Sequence, residues 1–161
     1  MGLDYWLVDN SVISNFALIG RLDFLKDIFG KKLCIPEEVK AEFLIGVNRG
    51  IIPQTDISWL HVVSRIKVEE ELFDRFCLRL GKGESACLSV AINRKWKFFT
   101  DDVDARKTAQ RLEVPVSGTI GILTYLVHKG HTTLEDGNSM LRDMIKKGYF
   151  SSTDELNELL K

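Results

Sequence analysis

The sequence predicts an α/β fold, a single-domain α/β/α sandwich around a central, mainly parallel sheet. Three observations predict it. Short apolar runs alternate with stretches of helical period along the whole chain, as in a sheet covered on both faces. The strand-like run Tyr5–Val8 ends at Asp9, and Lys97–Thr100 ends at Asp101 and Asp102, the placement of a polar site in an open α/β sheet. Finally, 161 residues, 45% of them hydrophobic and 28% charged, make one globular domain with a substantial core.

Taken in order, Tyr5–Val8 reads as a central strand. Val12, Ile13, Phe16, Ala17 and Ile19 then recur at helical spacing up to Gly20. Asp9 or Ser11 suits that helix as an N-cap. Arg21–Phe29 is a second predicted helix and Lys32–Ile35 a second strand. Pro36 suits a first helical position, with Glu37 and Glu38 in the turn that favours acids. Glu42 lies one turn past Glu38, beside an apolar stripe of Val39, Phe43, Leu44 and Val47. Residues 46–59 are loop-like, Leu60–Ile66 extended, and Val68–Leu80 an amphipathic helix whose acids Glu69, Glu70 and Glu71 suit a solvated face.

The stretch from Leu80 to Arg106 organises the rest. Gly81 and Gly83 permit a close approach of backbone, and Glu84 opens a helix, Glu84–Asn93, that is small or apolar after Ser85. Phe98 and Phe99 follow in a buried strand. Val103–Leu112 is a helix, Val114–Val116 a short strand and Thr119–His128 an apolar helix. The tail, about residues 132–161, reads as a helical extension of the same domain: Leu134–Lys147, then Thr153–Leu160 with Ser152 and Glu155 at capping-box spacing.

A parallel sheet collects the carboxyl ends of its strands on one edge. Asp9 and Asp101 end strands, and Glu42 and Glu84 sit on helices that can overlie that edge. Four converging carboxylates repel unless cations neutralise them. Hard oxygen ligands suit one or two Mg²⁺ or Mn²⁺ ions, the equipment of phosphodiester hydrolysis.

Composition narrows the rest. A net charge of −1 offers no basic footprint for duplex binding, although bound cations would restore positive charge at an acidic site. Cys34, Cys77 and Cys87 form no CxxC pair, which favours free thiols and a cytoplasmic setting. The N-terminus has no basic signal-like region, and no apolar run is long enough to span a bilayer. His61, His128 and His131 have no zinc-site spacing, and Ser11 and Ser85 lack a histidine in any serine-hydrolase motif.

The order of the motifs VDNS, PEEVKAEF, LGKGESACLSVA, FFTDDVDAR and VSGTIGIL resembles the PIN-domain superfamily, near the VapC-type toxin nucleases. The resemblance spans almost the whole chain, GRLDFL included. It implies a Mg²⁺- or Mn²⁺-dependent endoribonuclease, the toxin of a toxin–antitoxin pair, leaving a 5′-phosphate and a 3′-hydroxyl. Mapped by motif, the acidic quartet falls on Asp9, Glu42, Glu84 and Asp101, with Asp104 acting through the metal's water shell. Ser11 supports the first aspartate, and Asp102 caps the next helix or supports the loop. Glu84 stands where many members carry aspartate, and its length bears on whether one ion or two is bound. Arg106 is expected to pair with Asp102, the alternative being an approach to a phosphate. The implied partners are an RNA substrate, a cognate antitoxin seated in apolar grooves around the early helices, and a second copy of the chain.

Two other readings compete. A PIN-fold module that binds nucleic acid or protein without catalysis would keep the fold and need no metal. A receiver-type phosphoacceptor would want its acidic pair after the first strand; here Asp101 and Asp102 come late.

Overall fold

The computed structural model describes residues 5–160. Strand β1 is Trp6–Val8, and Asp9 ends it and caps α1 (Asn10–Leu18), accepting a hydrogen bond from the Asn10 amide. Helix α2 is Leu22–Phe29, followed by a 3₁₀ turn at Gly30–Lys32 and β2 (Leu33–Pro36). Pro36 is the last residue of that strand and the cap of α3 (Glu37–Asn48), one position earlier than expected. After the loop come β3 (His61–Val63), α4 (Lys67–Phe76) and α5 (Lys82–Arg94). Then follow β4 (Lys97–Phe99), α6 (Val103–Arg111), β5 (Val116–Ser117), α7 (Thr119–His128) and α8 (Leu134–Lys146).

The five strands lie in the order β3-β2-β1-β4-β5, every pair parallel, with helices flanking the sheet. The chain winds outward from β1 through β2 to β3, then returns to the other side of β1 for β4 and β5. The direction therefore reverses between β1 and β4, where an open sheet has its ligand crevice. Val8 pairs with Phe99 across that seam, so Asp9 and Thr100 leave the sheet side by side.

Leu7, Val8, Phe98 and all of β2 are buried, and α5 lies across β1, β2 and β4 with Gly83 and Ser85 to Ala91 buried. Phe16, Phe43 and Phe98 are the largest fully buried side chains. Each such ring removes on the order of 2–3 kcal/mol worth of apolar surface from water. Helix α8 packs on α7 and α1.

Three expectations need correction. Glu69 is not on a solvated face: it is fully buried, accepting hydrogen bonds from Asn93 at 2.8 Å and from the Arg94 guanidinium at 2.9 Å, and capping the Ile66 amide at 3.0 Å. The α4–α5 packing encloses it, and a carboxylate is tolerated there because Arg94 partners it. The second tail helix shrinks to a 3₁₀ turn at Asn157–Leu160. The hydroxyls of Ser151 and Thr153 bond local backbone instead, a conformation that competes with a helix. Arg106 donates to the Thr100 carbonyl at 3.3 Å rather than pairing with Asp102.

Candidate active site at the carboxyl edge of the sheet

Asp9 is 2% exposed and hydrogen-bonded through both carboxylate oxygens. Its Oδ1 accepts from the Asn10 amide at 2.8 Å; its Oδ2 accepts from the Ser11 hydroxyl at 3.1 Å and the Thr100 hydroxyl at 3.0 Å. Burial, reinforced by the negative charge of Glu84, pushes its pKa up to about 7 despite those hydrogen bonds. Ser11 also accepts from the Asp101 amide at 3.1 Å, so one hydroxyl ties the two strand-end aspartates together.

Asp101 sits at the start of α7. It accepts from the Thr119 amide at 2.8 Å, the Thr119 hydroxyl at 2.5 Å and the Asn15 side-chain amide at 3.0 Å. Gly118 makes room for this contact: a Cβ there would collide with Asp101 Oδ1 and stand 2.7 Å from Arg106 Nη1.

Glu42 and Glu84 complete the acidic side. A Cβ added at Gly83 would lie 2.5 Å from Glu42 Oε1 and 3.4 Å from Asp9 Oδ1, so these two carboxylates face one another over a bare glycine. Glu84 folds back over Gly81, where an added Cβ would meet Glu84 Oε2 at 2.5 Å. Partial burial and then the Glu84 charge raise the pKa of Glu42, against a lowering contribution from the Gly83 amide. The two glycines therefore act by lacking side chains.

Asp102 caps α6 through the Ala105 amide at 2.8 Å, and Asp104 is exposed in the first turn of that helix. Glu84, Asp101, Asp102 and Asp104 line one open cleft of about 610 Å³ with Ser11, Asn15 and Phe150. The acids thus divide into two groups joined through Ser11: Asp9, Glu42 and Glu84 on one side, and Asp101, held to Asn15 and Thr119, on the other.

The donor set fits a hard divalent cation in kind, since every candidate ligand is a carboxylate oxygen and their mutual repulsion calls for positive charge. Among the described residues, no three His, Cys, Asp or Glu side chains already stand in a metal-holding arrangement.

The chain matches the family model described as DUF3368, a PIN domain, over residues 5–161. The chain belongs to the PIN-domain family. PIN domains are in general nucleases that bind nucleic acid and typically use divalent metals. The fold of this PIN domain is similar to the crystal structure of PAE2754 from Pyrobaculum aerophilum, with a TM-score of 0.57 at 17% identity, covering 77% of this chain and 97% of that one. No curated protein matches the chain.

Asn15, Thr100 and Thr119 are site residues that sequence reasoning missed. Thr100 and Thr119 stand inside the motifs FFTDD and VSGT, which were informative for their acids and glycine alone. Asn15 carried no signal; only the packing of α1 brings it to Asp101. The histidines lie elsewhere and are exposed, and the cysteines are free. Burial raises the Cys34 thiol to about 11 and raises Cys87 as well, so neither is a ready nucleophile. No helix among the described residues is long and apolar enough to cross a membrane.

Proposed function

We propose that this PIN domain is a metal-dependent endoribonuclease that hydrolyses RNA phosphodiester bonds, and that it is the toxin of a toxin–antitoxin pair. The observation that carries the reading is the juxtaposition of Asp9, Glu42 and Glu84 with Asp101 at the β1–β4 switch point. The proposed ligands are Asp9, Glu42, Glu84 and Asp101, with Asp104 acting through water. When bound there, one or two Mg²⁺ or Mn²⁺ ions would acidify a water and offset charge on the phosphate.

The chain's own residues do the rest. Thr100 and Ser11 fix the plane of the Asp9 carboxylate, and Thr119 and Asn15 fix that of Asp101. The buried face of α5 sets the height of Glu84 above the sheet. Gly83 leaves the space in which Asp9 and Glu42 converge. The cleft is open along Asp104 and Phe150, so an extended phosphodiester can enter past the acids.

The test is cleavage of a labelled RNA with millimolar Mn²⁺. Wild type should cut, and Asp9→Asn and Asp101→Asn should lose at least about a hundredfold in rate, the scale of losing a positioned catalytic group. Growth arrest on expression should vanish with the same substitutions. Equal cleavage by wild type and variants would sink the reading.

A non-catalytic binding module is the second reading, supported by the engagement of Asp101 with Asn15 and Thr119. It expects no Mn²⁺-dependent rise in melting temperature.

A further inference from the structure

Phe150 is 95% exposed, the most exposed large apolar side chain among the described residues. It is nevertheless held on an anchored turn. The Tyr149 amide bonds the Met144 carbonyl at 3.0 Å, and beyond the turn Leu156 is buried with its amide on Asn138 at 2.7 Å. Gly148, at φ +110°, makes the turn possible. A single exposed apolar side chain is common on protein surfaces, so exposure alone gives Phe150 no role.

Its position suggests one. Phe150, with Asp101, Val103 and Tyr149, lines both the acidic cleft and a second cleft of about 540 Å³ that contains Arg106 and Gly118. That second cleft shares Ser117 and Gly121 with a third recess of about 450 Å³. Trp6, Phe29, Phe99 and Tyr125 wall the recess, and the exposed Lys32 stands among its lining. Carboxylates, an exposed aromatic ring, a guanidinium and an aromatic recess with an ammonium therefore line a trough of three adjoining clefts that share residues at each junction.

We propose that Phe150 is a positioning residue on which a base of a single-stranded RNA stacks as the strand passes from the acidic cleft toward the recess. This rests on the nuclease reading above. Stacking suits an exposed ring because every base has a π-face, and an unpaired strand can present it where a duplex cannot. Arg106 lies one step further along the trough, placed for a phosphate. The exposed Val103 and Leu159 line the same cleft as Phe150, but they share it with Ser151, Ser152, Thr153 and the Arg106 guanidinium, a more polar lining than the centre of a protein interface.

The experiment measures KM and kcat for a mixed-sequence 12-nucleotide single-stranded RNA with Mn²⁺, and anisotropy of the same labelled strand. Phe150→Ala should raise KM and the dissociation constant about tenfold, the low-to-middle range for loss of one stacked base, with a much smaller change in kcat. Phe150→Trp should restore wild-type values, and Phe150→Leu, apolar but not aromatic, should not. Wild type that cleaves while Phe150→Ala keeps its KM overturns the stacking role and leaves the nuclease reading intact. Wild type that binds without cleaving overturns the nuclease reading, and anisotropy of the Phe150 variants then decides stacking. Light scattering that shows Phe150→Ala splitting a dimer with RNA affinity unchanged overturns the proposal in favour of a protein contact.

Discussion

The hydroxyl of Thr100 donates to Asp9 Oδ2 at 3.0 Å across the seam between β4 and β1, and both side chains are almost wholly out of contact with water. The bond links the ends of two strands that are 91 residues apart in sequence. Thr100→Val keeps the size and removes the donor. A buried acceptor left short of a partner costs about 1–3 kcal/mol, to be read by chemical denaturation, whereas Thr100→Ser should keep most of the stability. Cleavage by Thr100→Val should fall as well, because the Asp9 carboxylate loses one of the donors that fix it.

The raised pKa of Asp9 makes a prediction about pH. Folded, the group titrates near 7; its ordinary value is 3.8. The folded chain thus keeps a proton that the unfolded chain gives up. The resulting stability is fully present below about pH 4 and is lost as pH rises through about 7. In EDTA, the melting temperature of wild type should fall more between pH 4.5 and 8 than that of Asp9→Asn. Millimolar Mn²⁺ should reverse the wild-type trend by replacing the proton. Parallel curves for the two proteins in EDTA would refute the assignment.

Gly83→Ala isolates the geometry of the acids from the fold. Alanine suits a helix better than glycine by about 1 kcal/mol, so the helix itself gains. The new methyl, however, would lie 2.5 Å from Glu42 Oε1 and must displace that carboxylate. The expected result is a circular dichroism spectrum like wild type, with Mn²⁺-dependent cleavage lowered by about tenfold or more, the scale of a small misplacement at a reacting centre.

Arg94→Ala addresses structure alone. Burial would raise the pKa of Glu69, but the hydrogen bonds from Arg94, the Ile66 amide and Asn93, together with the Arg94 charge, outweigh it and hold the carboxyl below its ordinary value. Removing Arg94 strands a buried charge, at a cost of about 2–4 kcal/mol once its partial exposure is allowed for. Because the folded pKa is depressed, the stability from this pair is present at neutral pH and lost as pH falls through the acidic range. Arg94→Ala should therefore be nearer to wild type in melting temperature at low pH than at pH 7, with the site's metal response intact.

Much of this PIN domain was legible residue by residue. The apolar run before Asp9, the small-residue helix after Gly83 and the paired phenylalanines before Asp101 each carry a local pattern that only one environment satisfies. Asp9, Glu84 and Asp101 were legible as candidates for the same reason, as charged residues at the ends of buried elements, whereas Glu42 lies in the middle of α3. Asn15 was not, because an asparagine on a helical face looks alike whether it meets water or a carboxylate. Glu69 was misread because it was grouped with its neighbours Glu70 and Glu71, which the helical turn points to other faces and leaves exposed. The tail helix failed because hydroxyl-to-backbone bonds at Ser151 and Thr153 outweighed a spacing rule.

The sequence by itself determined the alternation of strands and helices, the parallel sheet and the candidate acids, since these follow from local hydrophobic period and turn chemistry. Only the tertiary structure decided that β4 pairs with β1. That pairing brings Asp9 to Thr100 and lets Ser11 bridge to Asp101, turns Asp101 toward Asn15 and Thr119, and leaves Phe150 bare above the cleft. Strand order and side-chain partners depend on which distant surfaces bury each other, and no periodicity along one chain encodes that choice.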